Sequence, residues 1–307
     1  MKPRILVIRG GAIGDFVLTL PALRLVRESF PAAHLELLGY RHIVALAENR
    51  FYADGARSIE YGPFSAFFAR RGELDPELAE YFAGFQQVIS YLYDPDGIFE
   101  ANLRRAGVKN FLNAYRKLDD TDHAARQLAR PLESLALYLE DPAARLYPSP
   151  EDRGEAERFL GVAAKGRVIA IHPGSGSRKK NWALDRWVRL CALITRERPG
   201  ARLLVVGGEA DGSQLDALDA EGRLVARDLP LPLLAAILEQ CAFFCGHDSG
   251  ISHIAAAVGV PSALLFGPTD PDVWAPCHEA VKVLAAADGD LGGLSVEVVW
   301  EAVRGSI

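Results

Sequence analysis

Three short segments carry residue types whose spacing suits chemistry on a phosphorylated substrate. The first is Arg9-Gly10-Gly11-Ala12-Ile13-Gly14-Asp15, a glycine turn between the apolar run Arg4–Val7 and the helical pattern LTLPALRLVRESF. A G-x-G-x-x-G fingerprint ending at Gly14 would need glycine at position 9, where Arg9 stands. The second strand also exits as LLGY, with no acid to take a ribose, so a dinucleotide-dependent dehydrogenase fits poorly. What remains is a turn in which Gly11 and Gly14 let another molecule approach the backbone, with Asp15 at the start of a helix. Asp15 then either offers its carboxylate to a substrate or complements the helix dipole, an effect of at most ~1 kcal/mol.

The second segment is His172-Pro173-Gly174-Ser175-Gly176-Ser177-Arg178-Lys179-Lys180-Asn181-Trp182. Small residues after a buried strand expose backbone N–H groups, and three cations follow. Three successive side chains cannot share one direction; Lys180 is the one anchored by Asn181-Trp182 and the helix LDRWVRL. The Walker pattern G-x-x-x-x-G-K-[ST] is absent. The third segment, Gly246-His247-Asp248-Ser249-Gly250-Ile251-Ser252-His253, reads as a strand ending in a helix that opens at Asp248 or Ser249. Unpaired N–H groups there attract phosphate. Asp248 is expected to cap that helix, its charge offset by a cation or hydrogen-bonded to a sugar hydroxyl. His247 and His253 flank Asp248 but lack a third ligand at metal-site spacing. Asp94-Pro-Asp96 and Asp270-Pro-Asp272 echo the D-x-D metal signature of some nucleotide-sugar enzymes, yet proline between the acids favours turns. No G-x-S-x-G elbow is present.

The elements that must position these segments alternate: short β-rich run, glycine or aspartate turn, amphipathic stretch. That rhythm means parallel strands with helical crossovers. Strands are expected at Arg4–Val7, His34–Leu38, Gln87–Leu92 and Val108–Leu112, then at Val168–His172, Leu203–Val206, Ala242–Gly246 and Ala263–Phe266. Pro21 should kink or restart the first helix. The proline-rich stretch DPAARLYPSPEDRG, 141–154, reads as a linker running into a short helix at GEAERFL. The expected organisation is two doubly wound α/β domains, 1–150 and 151–290, facing a cleft, with a final helix in 291–307, capped by Ser295, packing back on the first domain.

Composition agrees with a globular, two-domain chain. There are 307 residues, half of them apolar, 24% charged, with a net charge of -6. Nucleic acid is not an expected partner. The second half carries most of the negative charge, -5 against -1 for residues 1–150, so an anion bound there must rely on local donors. The four cysteines form no disulfide framework, no apolar run reaches membrane-spanning length, and the four apolar residues before Arg9 are too few for a signal peptide; a cytoplasmic location is expected. The segment from Ala101 to Arg130 carries Arg104, Arg105, Lys109, Arg116, Lys117, Arg126 and Arg130 against three acids, which fits either an acidic ligand or solvated helix faces.

The segments RILVIRGGAIGDFVLTLPALRLVRESFP, IHPGSGSRKKNW and CGHDSGISHIAAAVGVPSALLFGPTDPDVWAP, in this order, resemble the three signature segments of the ADP-heptose:lipopolysaccharide heptosyltransferase family, glycosyltransferase family 9. The resemblance implies a GT-B fold of two Rossmann-like domains and inverting glycosyl transfer without a bound metal or cofactor. It places ADP-heptose on the C-terminal domain and a lipid-linked core oligosaccharide on the N-terminal one, with peripheral contact at the inner membrane. The family's catalytic aspartate falls on Asp15 and its diphosphate-facing lysine on Lys180. Its D-[ST]-G-x-S-H segment falls on Asp248, Ser249, Gly250, Ser252 and His253. Ser175 lies in the phosphate-touching turn, and Glu209 in VVGGEAD resembles the acid near the nucleoside. Gly11 and Gly14 form the acceptor-side turn. Two alternatives stay open: a GT-B transferase with another nucleotide-sugar or acceptor, and a non-catalytic nucleotide- or glycan-binding relative.

Overall fold

The computed structural model describes residues 2–161, 167–208, 211–219 and 223–305. They divide into two compact units, residues 1–119 with 124–142, and 120–123 with 143–307. In the first unit the order is β1 (Arg4–Arg9), α1 (Ile13–Ser29), β2 (His34–Gly39), α2 (Arg41–Val44), β3 (Gly55–Ser58), α3 (Pro76–Ala83), β4 (Gln87–Ser90), α4 (Ile98–Arg105), β5 (Phe111–Asn113) and α5 (Ala124–Ala129). Its five strands are all parallel in the order β3-β2-β1-β4-β5. β1 reads RILVIR with its four central residues buried, as a strand covered on both faces must.

Helix α1 runs through Pro21 without restarting. The missing hydrogen bond and ring clash cost about 3 kcal/mol. Against this, Leu18, Leu20, Leu23 and Val26 of the same helix are buried, each contributing roughly 1.5–3 kcal/mol, so packing outweighs the proline. The acid of β2, Glu36, sits mid-strand and accepts from Tyr81 Oη at 2.7 Å and Arg4 Nη2 at 3.3 Å, engaged inside the unit rather than at a strand end.

The second unit contains α6 (Pro150–Leu160), β6 (Val168–His172), α7 (Leu184–Glu197), β7 (Arg202–Gly207), α8 (Gly212–Leu218), β8 (Leu224–Arg227), α9 (Leu231–Glu239), β9 (Phe243–His247), α10 (Gly250–Ala257), β10 (Ser262–Phe266), α11 (Pro271–Trp274), β11 (Val281–Ala285) and α12 (Val296–Arg304). Its six parallel strands run β11-β10-β9-β6-β7-β8, the dinucleotide-fold order, with the reversal between β6 and β9. Each unit is thus Rossmann-like, the make-up of a GT-B chain.

Three expectations need correction. The stretch read as a linker enters helix α6 at Pro150, because Ser149 and Asp152 form a capping box: Ser149 Oγ accepts from Asp152 N at 3.1 Å and Asp152 Oδ2 from Ser149 N at 2.7 Å. The chain passes into the second unit before residue 150, at Pro142–Ala143. The C-terminal helix, expected on the first domain, belongs to the second: Val296, Val299, Ala302 and Val303 of α12 join the core around Trp187, Leu190 and Ile194 of α7. Ser295 does cap it, accepting from Val298 N at 3.3 Å. Among the described residues no helix is long and apolar enough to cross a membrane.

All four tryptophans, at 182, 187, 274 and 300, lie in the second unit, so their fluorescence reports its unfolding alone. Val299→Ala removes two fully buried methyl groups and is expected to lower that unit's unfolding free energy by about 2 kcal/mol in urea titration. An unchanged midpoint would place α12 outside this core.

Candidate functional site

In open parallel sheets, ligands bind beyond the carboxyl ends of the strands where the order reverses. In the second unit that point lies between β6 and β9, and the second and third sequence segments leave the sheet there. His247, the last residue of β9, ties them together. Its Nε2 accepts from Trp182 N at 2.7 Å and its Nδ1 donates to Gly174 O at 3.1 Å, so one imidazole grips the start and the end of the loop from β6 to α7. With both ring nitrogens bound to backbone, His247 has no lone pair for a metal. Among the described residues no group of three His, Cys, Asp or Glu side chains is arranged to hold a metal ion.

Gly174 lies where only glycine fits: a Cβ there would stand 1.8 Å from Oδ1 of the buried Asp211. Asp211 Oδ2 accepts from Gly208 N at 3.0 Å. Asp211, in the GGEAD turn after β7, was not singled out in the sequence; Glu209, which was, lies outside the described residues. Trp182, buried, donates its indole N–H to Leu294 O at 3.0 Å and packs edge-on against Trp187. Between the two ends gripped by His247, Arg178–Lys180 form a single 3-10 turn with Lys180 N bonded to Ser177 O at 2.9 Å.

That turn delivers Lys180 to Asp248. The Lys180 ammonium donates to Asp248 Oδ2 at 2.6 Å, and Thr269 Oγ1 donates to the same oxygen at 2.8 Å. His253 Nε2 stands 3.9 Å from Asp248 Oδ1. The lysine side chain is 30% exposed and the aspartate 8%, so a buried anion holds a cation at the surface. Asp248 is therefore offset by a cation, as expected, but it is not the cap. Ser249 caps α10, accepting from Ser252 N at 3.3 Å, and Ser252 Oγ donates to His247 O. The first helical amides, Gly250 and Ile251, have no partner within the helix. Ser175 Oγ accepts from Ser177 N at 3.2 Å and lies 2.6 Å from Asn181 Oδ1, so the hydroxyl braces its own loop.

The first unit has the same plan. Its strand order reverses between β1 and β4, and the glycine turn leaves β1 there. Gly11 has φ of +98°, and a Cβ on it would come within 2.9 Å of Asp15 Oδ2, so glycine is required twice over. Gly14 is the second residue of α1 and Asp15 the third; Oδ2 of Asp15 accepts from Ala12 N at 2.9 Å. The helix-capping role of Asp15 is thus real but engages one carboxylate oxygen. Its side chain remains 38% exposed.

Other sequence signals resolve into structure. Asp94 accepts from Phe99 N at 3.1 Å and Glu100 N at 3.0 Å at the start of α4, and Asp270 caps α11 through Asp272 N at 2.9 Å; both D-P-D motifs are turns. Within the basic segment, Arg104 pairs with Glu100 at 2.7 Å and Arg105 donates to Asn102 Oδ1 at 2.7 Å, whereas Arg116, Lys117 and Arg126 are exposed. Cys191, Cys241 and Cys245 are buried, and burial pushes the first two thiols up to about 11 and about 12.

Burial pulls the His247 imidazole down to about 3 and lowers that of His172 as well. The unfolded chain takes up a proton near pH 6.5 that the folded unit refuses, so stability rises with pH between about 3 and 6.5. Lowering the pH from 7.5 to 5.0 should cost the second unit on the order of 2 kcal/mol through His247 alone. Tryptophan-monitored urea unfolding at the two pH values checks this, and His247→Asn should reduce the difference, leaving the part that belongs to His172.

Comparison with known proteins adds to this geometry. A family model described as glycosyltransferase family 9 (heptosyltransferase) matches residues 104–291. Lipopolysaccharide heptosyltransferase 1 of Pseudomonas aeruginosa is 25% identical over 290 residues, covering 87% of this chain and 79% of its own. The crystal structure of a family 9 glycosyl transferase from Veillonella parvula superposes with a TM-score of 0.81 at 21% identity, over 99% of this chain and 96% of that one. E. coli heptosyltransferase WaaC with ADP gives 0.74 at 17% identity, over 99% and 100%. With the family model running across more than half of its sequence, the chain belongs to glycosyltransferase family 9 and is a glycosyltransferase.

Proposed function

We propose that the protein transfers heptose from ADP-heptose to an inner-core lipopolysaccharide acceptor, with inversion at the anomeric carbon and without a bound metal or cofactor. The observation that carries this reading is the Lys180–Asp248 pair beside the amino end of α10, at the switch point of the second sheet. The names of the relatives supply the sugar and the acceptor class; the residues supply the chemistry.

A donor diphosphate gains charge as its bond to the sugar breaks. Lys180 and the amides of Gly250 and Ile251 are aimed donors for that charge, and Ser249, Ser175 and His253 line the same turns. Asp248 keeps the ammonium oriented before the phosphate arrives, so little reorganisation is left for the transition state. Glu209 is assigned to the nucleoside from the sequence pattern. On the first unit Asp15 removes the proton of the attacking hydroxyl, and attack on the face of the anomeric carbon opposite the departing ADP gives inversion. Gly11 and Gly14 keep the backbone beside Asp15 open to an acceptor. The acceptor is lipid-linked, and the enzyme works at the cytoplasmic face of the inner membrane through peripheral contact.

The test is incubation with ADP-heptose and heptose-free core lipid, read by mass for a gain of one heptose. Asp15→Asn should leave ADP affinity nearly intact and reduce transfer on the order of a hundredfold or more; wild-type turnover would reject Asp15 as the base. Lys180→Ala should weaken ADP binding in calorimetry as well as turnover, and equal affinity would remove Lys180 from the donor site. Phosphate contacts do not distinguish nucleotides, so a thermal-shift panel of ADP, UDP and GDP checks the base: a larger shift with UDP or GDP would favour a different donor.

A further inference from the structure

The oxygens of Asp15 are not equivalent, and the difference traces to Arg9. Where a dinucleotide turn would have glycine, this chain ends β1 with an arginine whose side chain is 12% exposed. Arg9 Nε donates to Thr19 Oγ1 at 2.9 Å and Nη2 to Asp15 O at 3.2 Å, while Thr19 Oγ1 donates to that same carbonyl at 2.7 Å. Its Cζ lies 5.9 Å from the ring centre of Tyr91, the buried residue that follows β4 across the switch point. Burial pushes the Tyr91 phenol upward, so it stays neutral beside the cation. Too deep to serve as a surface anion site, the guanidinium faces the Asp15 carboxylate, with Nη2 3.8 Å from Oδ1.

That separation is beyond a hydrogen bond but close enough for strong charge interaction. Oδ2 is taken by Ala12 N. Oδ1 therefore feels the cation while keeping its lone pairs for an incoming proton.

We infer that Arg9 is the positioning residue of Asp15, holding Oδ1 in place as the oxygen that accepts the acceptor hydroxyl's proton. The inference rests on the reading of Asp15 as the base. In the step, the acceptor O–H bond breaks toward Oδ1 as its oxygen bonds to the anomeric carbon, and the bond from that carbon to the β-phosphate oxygen breaks with its electron pair leaving on ADP. The proton then passes on to water and the carboxylate is restored.

The experiment is a cycle of Arg9→Met, Arg9→Lys and Asp15→Asn in the mass assay, with ADP calorimetry and circular dichroism in urea. Arg9→Met should lower kcat on the order of tenfold or more with ADP affinity unchanged. Arg9→Lys, which keeps the charge but not the fork, should recover part of that loss. In the Asp15→Asn background Arg9→Met should cost nothing further, since the basic carboxylate it acts through is gone. Full turnover in Arg9→Met, or an equal loss in both backgrounds, would overturn the assignment. Should Arg9→Met fail to fold, Arg9→Lys carries the same cycle: a loss absent from the Asp15→Asn background supports the assignment and an additive loss rejects it. Wild-type turnover in Asp15→Asn alone would instead remove the base on which the inference rests.

Discussion

The candidate donor site depends on one buried imidazole. His247 ends a central strand and bonds through both ring nitrogens to backbone groups of the loop that follows the neighbouring strand. A neutral imidazole presents one donor and one acceptor on opposite sides, which is what clamping a carbonyl and an amide requires. Burial keeps it neutral, and neutrality keeps the clamp closed. Lys180 reaches Asp248 because the loop between these two anchors has little freedom left.

The two units solve a similar problem with different means. Each places its candidate residues where a parallel sheet reverses strand order, because there the loops on either side diverge and leave room for a ligand. The second unit holds its cation with a buried carboxylate, Asp248. The first holds its carboxylate with a buried cation, Arg9. In both cases the less exposed partner is fixed by further hydrogen bonds, from Thr269 to Asp248 and from Arg9 to Thr19. Removing either buried member would leave its partner less defined.

Central strands were legible because a strand covered on both faces is a run of apolar residues, as in RILVIR and VIAIH. The strands missed, β3, β8 and β11, are edge strands with half-exposed, mixed sequences that burial does not mark. The capping box at Ser149 and Asp152 was written in the chain but overshadowed by its prolines, one of which, Pro150, sits at the first helical position where proline fits. Asp248 and Ser249 are both good caps by type; the strand extends through His247, and Asp248 turns to Lys180, which leaves Ser249 the cap. Pro21 misled in the other direction, since its local penalty is smaller than the burial its helix gains.

By itself the sequence determined the fold class, the three strand-to-helix turns at the sheet reversals, and most of the candidate residues on them, because glycine, buried apolar runs and strand-to-helix transitions are local properties. Tertiary structure decided how those residues are engaged. It turned His247 from a candidate ligand into a clamp, brought Asp211 against Gly174, gave Arg9 a carboxylate to face, and put the last helix in the second core. Each of these outcomes depends on groups tens to more than a hundred residues apart, or on which of several local hydrogen bonds packing permits. No pattern along the chain encodes that choice.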